Sequence, residues 1–303
     1  MGARAAGGAG GRRRAARLPS RRLLAADGHP ARQGRARSAL GLRPGALEGL
    51  VTMFCSAYKD RRVWLSGHTG FKGAWLAFWL TSLGAKVRGY ALAPEANQPL
   101  HGALGLADRL DSRFADVRDA GQVLDSITEF RPDYVFHLAA QPLVRASYAD
   151  PCGTISTNVM GTVHVLDALR RLKDPCAAVI VTSDKCYENP ETGRPHVESD
   201  PMGGRDPYSA SKGMAELAVR SYRSSFFAAG QPVRVASARA GNVIGGGDLA
   251  DDRIVPDIVR ARHDGRPVKV RNPAATRPWQ HVLEPLAGYL WLGACLARPG
   301  LAP

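Results

Sequence analysis

A chain of 303 residues, 45% of them hydrophobic, can bury a sizeable core, and its length suits one α/β core carrying a smaller lobe. The formal net charge is +14, but residues 1–52 alone carry eleven arginines against Asp27 and Glu48, so the remainder is only mildly basic and a nucleic-acid partner is not expected. The longest apolar stretches, Trp75–Leu83 and the segment from Ala287 to Ala297, fall short of the ~20 residues needed to span a bilayer, so no membrane partner is expected either.

The leader, residues 1–52, is rich in Ala, Gly and Arg and has no aromatic residue; it cannot bury enough apolar surface to offset chain entropy and is expected to be disordered. Arg-rich, acid-poor segments suit a nucleic-acid arm or an organelle transit peptide. The reading adopted is that translation starts at Met53 and that the leader is read-through of GC-rich upstream sequence. No apolar run of signal-peptide length follows Arg21-Arg22, because Leu23-Leu24-Ala25-Ala26 stops at Asp27. Cys55, Cys152, Cys176, Cys186 and Cys295 show no paired spacing of a zinc site or a redox dithiol, so no metal is expected and a reducing cytoplasm fits best. Cys186 reads as a small buried hydrophobe.

From residue 62 onward short apolar strands alternate with amphipathic helices, the pattern of an α/β fold with a doubly wound parallel sheet covered on both faces. Strands are predicted over Arg62–Ser66, Lys86–Leu92, Arg113–Ala115, Tyr134–Leu138, Ala178–Thr182 and Val233–Ala238. Helices are predicted over Gly73–Leu83, Ala120–Phe130, Thr157–Leu172 and Pro207–Ala228. Trp75, Leu76, Trp79 and Leu80 recur at helical spacing and are read as core against the sheet. This nucleotide-binding domain is placed at residues 53–240. After it the pattern turns irregular and rich in Gly and Pro, as expected of a substrate lobe of loops and short helices over 241–303. The chain stops just after an apolar helix, and nothing in the sequence is seen to seal that helix.

Ser66-Gly67-His68-Thr69-Gly70-Phe71-Lys72-Gly73 follows directly on the apolar run Val63-Trp64-Leu65. Glycines 67, 70 and 73 between a strand and a helix let backbone N–H groups approach a pyrophosphate at the positive end of the helix. Asp116 and Val117 come at the end of a later strand, near a bound adenine, and Leu138-Ala139-Ala140 at the end of another leave room for a dinucleotide. The second strand ends Tyr90-Ala91-Leu92-Ala93-Pro94, without the acidic residue expected at a ribose 2′-hydroxyl, which leaves NAD and NADP open at that point.

Pro207-Tyr208-Ser209-Ala210-Ser211-Lys212 opens a helix, and a spacing of four puts Tyr208 and Lys212 on one face. An ammonium beside the phenol, together with a positive nicotinamide, would stabilise the phenolate and make Tyr208 a base for a sugar hydroxyl. Thr182-Ser183-Asp184-Lys185-Cys186-Tyr187 lies at the carboxyl end of the fifth strand, where doubly wound sheets place reacting groups. A dehydrogenase needs only a hydroxyl there; Asp184 and Lys185 add an acid and a base for an elimination.

These motifs, with Arg239-Ala240-Gly241-Asn242-Val243-Ile244-Gly245-Gly246-Gly247-Asp248 and Arg277-Pro278-Trp279-Gln280-His281-Val282, resemble the extended short-chain dehydrogenase/reductases, the NAD-dependent epimerase/dehydratase family, from about Arg62 to Ala297. Asp184-Lys185, where the dTDP-glucose branch carries Asp-Glu, points to the CDP-glucose 4,6-dehydratase branch. The resemblance implies a Rossmann fold with NAD as cofactor, held by Gly67, Thr69, Gly70, Phe71, Lys72, Gly73, Asp116, Val117, Leu138, Ala139, Ala140, Tyr208 and Lys212. It implies CDP-glucose or a related nucleotide sugar as substrate, bound by Asn242 and Arg277, with Ser183, Asp184, Lys185, Tyr208 and Lys212 as catalytic residues. It further implies a homodimer built on the Thr157–Leu172 and Pro207–Ala228 helices. Family members normally continue beyond the point matching Pro303, so the chain is expected to be truncated, with apolar surface of the last helix left open.

Overall fold

The computed structural model describes residues 54, 56–95, 99–190 and 193–298. The expected disorder of residues 1–52 and the position of Cys55 lie outside the described residues. The described part begins at a short helical stretch whose Tyr58 is fully buried between Tyr134 and Phe136, its hydroxyl donating to the Leu290 carbonyl at 2.5 Å.

Six parallel strands form the main sheet: β1 (Arg62–Ser66), β2 (Lys86–Ala91), β3 (Asp111–Phe114), β4 (Tyr134–His137), β5 (Cys176–Val181) and β6 (Val233–Ala238), in the spatial order β3-β2-β1-β4-β5-β6. The order reverses between β1 and β4, so their carboxyl ends flank the crevice where doubly wound sheets bind ligands. β4 and β5 are buried along their whole length, which is why they read as unbroken apolar runs and not as alternating ones.

The helices between the strands are α1 (Phe71–Ser82), α2 (Leu100–Ala103), α3 (Ala120–Phe130), α4 (Val144–Ala149), α5 (Pro151–Ile155), α6 (Gly161–Leu169) and α7 (Pro207–Phe226). One face of the sheet packs a cluster around Leu65, Leu76, Leu80, Phe136 and Val179, the other a cluster around Trp64, Val135, Leu166, Leu169 and Ile180. Leu76 and Leu80 are fully buried, while Trp75 and Trp79 cover the rim of that cluster, Trp75 donating to the Gly246 carbonyl.

Two sequence expectations change. The helix expected over 157–172 is not uniformly α-helical and begins earlier: α5 runs through a π-helical stretch, Ser156–Met160, into α6, which ends at Leu169. Within that stretch Asn158, 1% exposed, turns its amide inward to bond Gln141 and Ser211. The second concerns the carboxyl-terminal helix, α9 (Leu283–Ala297), following α8 (Ile254–His263) and the two-stranded parallel ladder of β7 (Asn242–Ile244) and β8 (Trp279–His281). Far from lying open, α9 buries Leu286, Tyr289, Leu290 and Ala294 in the cluster on one face of the main sheet, leaving Leu283 and Trp291 half exposed. It packs against β5 and β6, so the sheet itself supplies the cover.

Candidate active site

The cradle is built by close backbone contact. Gly67 sits at φ +76, and a Cβ there would lie 2.8 Å from the Ala139 nitrogen; one on Gly73 would lie 1.9 Å from the Gly67 carbonyl oxygen. Gly70 differs, since its nearest neighbour would be 3.5 Å away. Gly70 caps α1 with no side-chain partner, and its carbonyl accepts the first helical bond, from Ala74. The N–H groups of Phe71, Lys72 and Gly73 therefore have no partner within the helix and face the open side of Gly70. That donor set fits a pyrophosphate, at the positive end of a helix.

Ser66 ties the two sides of the crevice together. Its hydroxyl accepts from the Leu138 and Ala139 N–H groups, each at 3.0 Å, and bonds His137 Nδ1 at 2.7 Å. His137 Nε2 meets the Thr162 hydroxyl at 3.2 Å. Burial, and then the charge of Lys212, hold the His137 imidazole neutral, its pKa pushed down to about 3.

At the outer end Asp116 accepts from the Arg118 backbone at 2.9 Å and from its guanidinium at 2.8 and 2.6 Å, which depresses the carboxyl pKa. Both belong to a shallow hollow that Asp119 and Ala120 also line. Val117 is buried against α6 with its carbonyl bonded to His164 Nδ1, and Thr69 Oγ1 donates to the Leu92 carbonyl. Phe71 turns toward the second sheet, its ring 3.2 Å from where a Gly245 Cβ would lie.

At the inner end Ser183 caps a single 3-10 turn, Asp184–Cys186, after β5. Its hydroxyl donates to Asp184 Oδ1 at 2.9 Å and stands near enough to the Tyr208 phenol to act on its pKa. Lys185 Nζ stands 3.6 Å from the same Asp184 oxygen. Asp206 caps α7 and Pro207 fills its first turn, fixing where Tyr208 and Lys212 project; both are buried. Burial and then the neighbouring Lys72 lower the Lys212 pKa to about 7. Cys186 is buried, and its thiol is pushed up to about 12 chiefly by that burial, consistent with the inert role expected.

Burial raises the Tyr208 pKa despite the opposing Ser183 and Arg253, so in the protein alone the phenol keeps its proton.

Asn242 lies in β7 with a buried Oδ1 that meets no donor among the described residues. Arg277 is exposed, its Nη1 donating to the Thr276 carbonyl at 2.6 Å, and no hydrogen bond or ion pair links it to the groups above.

Several site residues were not singled out from the sequence. Asn158 bonds Ser211 at 2.9 Å and so joins the π-helical turn to the helix bearing Tyr208 and Lys212; the polar run Ser156-Thr157-Asn158 ahead of Gly161 was its one sequence signal. Glu216 follows Lys212 by four residues, on the same helical face, and is 5% exposed. It accepts from Thr182, from Ser237 at 2.8 Å and from Arg239 at 2.9 and 2.8 Å. Arg239 also donates to the Tyr187 hydroxyl at 2.6 Å and lies over that ring. Glu216 thus locks the ends of β5 and β6 to α7.

A Rossmann sheet with a glycine cradle at its switch point and a Ser/Tyr/Lys cluster beyond it is matched by a profile described as the NAD dependent epimerase/dehydratase family, over residues 63–295. The chain belongs to this family. Its cofactor is accordingly NAD, for which the cradle donors are the fitting residues. It is 52% identical over 247 residues to the CDP-glucose 4,6-dehydratase of Salmonella typhimurium, covering 80% of this chain and 69% of that one. It is 31% identical to the dTDP-glucose 4,6-dehydratase of Mycolicibacterium smegmatis, spanning about half of it: 58% of this chain and 51% of the relative. A dTDP-glucose 4,6-dehydratase of Streptomyces venezuelae, solved with NAD, shares the fold at a TM-score of 0.68 and 24% identity, over 77% of this chain and 72% of that one. No described helix is long and apolar enough to cross a membrane.

Proposed function

We propose that the chain removes water from CDP-glucose, giving the 4-keto-6-deoxy sugar through an internal redox cycle. The observation that carries this reading is the Asp184–Lys185 pair placed beside the Ser183–Tyr208 contact: oxidation at a sugar carbon needs only the latter, and elimination needs the former. The 52% identity to a CDP-glucose 4,6-dehydratase supports it.

Bound NAD would supply the acceptor that takes hydride from C4 and later returns it to C6. Tyr208 takes the C4 hydroxyl proton, helped by Ser183, which orients that hydroxyl, and by Lys212, which lends positive charge beside the phenol when protonated. The C4 carbonyl then acidifies the C5 proton. Lys185 is the base proposed to take the C5 proton and Asp184 the acid proposed to give one to the departing C6 hydroxyl, so that water leaves. As hydride returns to C6, Lys185 gives its proton back to C5, and the proton that Tyr208 took from the C4 hydroxyl replaces the one Asp184 gave up, so the three groups end as they began. Gly67, Thr69, Gly70, Phe71, Lys72, Gly73, Asp116, Val117, Leu138, Ala139 and Ala140 are proposed to line the cofactor, and Asn242 and Arg277 the nucleotide sugar. The proposed division of labour is 53–240 for cofactor and chemistry and 241–303 for substrate.

A homodimer is proposed through α5–α6 and α7, whose Ile155, Met160, Met214 and Leu217 are all more than a third exposed. The cytoplasm is the proposed site of action, in keeping with free thiols at Cys152, Cys176, Cys186 and Cys295.

The test is to incubate the protein with NAD and CDP-glucose carrying deuterium at C4. A 4-keto-6-deoxy product with the label at C6 is expected. CDP-galactose alone would mark an epimerase, and a product labelled from solvent at C6 would overturn the internal cycle.

A further inference from the structure

One half-buried amine of the site has no task in the scheme beyond lining the cofactor. Lys72 is the second residue of α1, and its side chain ends against α9, where Nζ lies 3.5 Å from the Tyr289 hydroxyl and 5.8 Å from the centre of that ring. Tyr289 is 2% exposed, so this partner is fixed by the core and not by a flexible loop. No carboxylate among the described residues forms an ion pair with Lys72. The acid whose charge it feels, Asp184, is engaged by Lys185 at 3.6 Å, and the nearby cation Arg253 is already neutralised by Asp248 at 2.9 Å. Lys72, from a different element, stands near enough to Lys212 to lower its pKa after burial, and Lys72 itself falls to about 8 through burial and then Arg253. A helix N-terminus is itself positive, so α1 adds to the same potential.

Two amines and a helix dipole crowd the end of the crevice where Tyr208 and Lys212 stand, with no resident anion answering Lys72. A phosphate-binding lysine would account for a cation in the cradle. It would not require an ammonium anchored to α9, within the field of the groups that meet the sugar. We infer that Lys72 is a redox-tuning residue: its charge, held by Tyr289, raises the positive potential at the hydride-accepting end of the site and so disfavours the cationic oxidised ring relative to the neutral reduced one. This inference rests on the dinucleotide reading above and adds to it a residue that drives the first step. Hydride leaves C4 with its electron pair and cancels the ring's positive charge, while the hydroxyl proton passes to Tyr208. A potential that penalises the initial charge favours that transfer.

The experiment compares dissociation constants of NAD and NADH, measured by titration calorimetry on the full chain, for the wild type, Lys72→Met and Lys72→Arg. The two dinucleotides carry identical phosphates, so their ratio isolates the ring's charge. Lys72→Met is expected to shift the ratio toward NAD by at least ~10-fold, the scale of one unit charge a few ångströms away in a partly screened site, and Lys72→Arg to keep it near the wild-type value. Should the Met variant not fold, Lys72→Gln gives the same comparison. Equal weakening of both ligands would make Lys72 a phosphate ligand and overturn the inference, as would an unchanged ratio, while leaving the dinucleotide reading intact. A wild-type chain that binds neither ligand overturns both.

Discussion

Replacing Glu216 by Leu should destabilise the protein by about 3–5 kcal/mol, the cost of leaving the other half of a buried ion pair uncompensated. The side chain is 4% accessible and that of Arg239 19%, so little water is available to replace what is lost. The guanidinium loses bonds at 2.9 and 2.8 Å, and the hydroxyls of Thr182 and Ser237 lose their acceptor at the ends of two adjacent strands. Against a total stability of roughly 5–15 kcal/mol this is a large fraction, and it corresponds to a melting-temperature drop on the order of 10 °C. Urea unfolding of wild type, Glu216→Leu and the double variant Glu216→Leu/Arg239→Met measures it. The double variant should recover most of the loss, because removing both partners leaves no unpaired charge. The pH dependence has a definite sign. Burial pushes the Glu216 carboxyl up, but the bonds from Arg239, Thr182 and Ser237 outweigh it, so its folded pKa lies below 4.5. The unfolded chain therefore takes up the proton first, and the contribution, full above about 4.5, is lost as pH falls through the lower folded value. A single-variant loss under ~1 kcal/mol, or a double variant no more stable than the single, would refute the reasoning.

Gly73→Ala should cost ~1–3 kcal/mol by overpacking, because its methyl meets the Gly67 carbonyl oxygen at 1.9 Å; Gly70→Ala, with 3.5 Å to spare, should keep wild-type stability yet lose NAD binding, as calorimetry would read. Tyr208→Phe should fold normally and bind NAD, but lower the rate of C4 oxidation by ~10²–10⁴ in single-turnover measurements, since only the proton acceptor is gone. Stability of the unliganded chain should rise with pH from about 7 toward about 9.5: unfolded lysines hold protons to 10.5, whereas Lys212 and Lys72 release theirs at about 7 and about 8, so the unfolded state binds more protons in that window. Unfolding monitored across that range should show proton uptake; release, or none, would contradict the lowered values.

The strands β1 and β6 and the helix α3 begin and end where the residue pattern puts them, because a buried strand, an edge strand with alternating apolar residues at its start and an Asp-capped helix each leave local marks. The cradle and the Tyr208–Lys212 face were legible for the same reason: each is set by spacing within one element. What spacing within an element cannot reveal is which partner a side chain meets across the fold. Asn158 sits in a π-helical stretch that local propensity does not announce, its amide bonded to Gln141 and Ser211 from remote segments. The last helix looked uncovered because its cover, the face of the sheet, is remote in sequence.

The residues alone determined that this chain is a parallel α/β protein with a dinucleotide cradle and a tyrosine–lysine pair, since periodicity and glycine placement act over a few residues. Only the tertiary structure decided that Glu216 locks that pair to two strands, that Lys72 reaches Tyr289 on the final helix, and that burial raises the Tyr208 pKa in the protein alone. Those outcomes depend on burial and on distances between segments as much as 217 residues apart, where desolvation and unpaired charge, absent from any local pattern, set the balance.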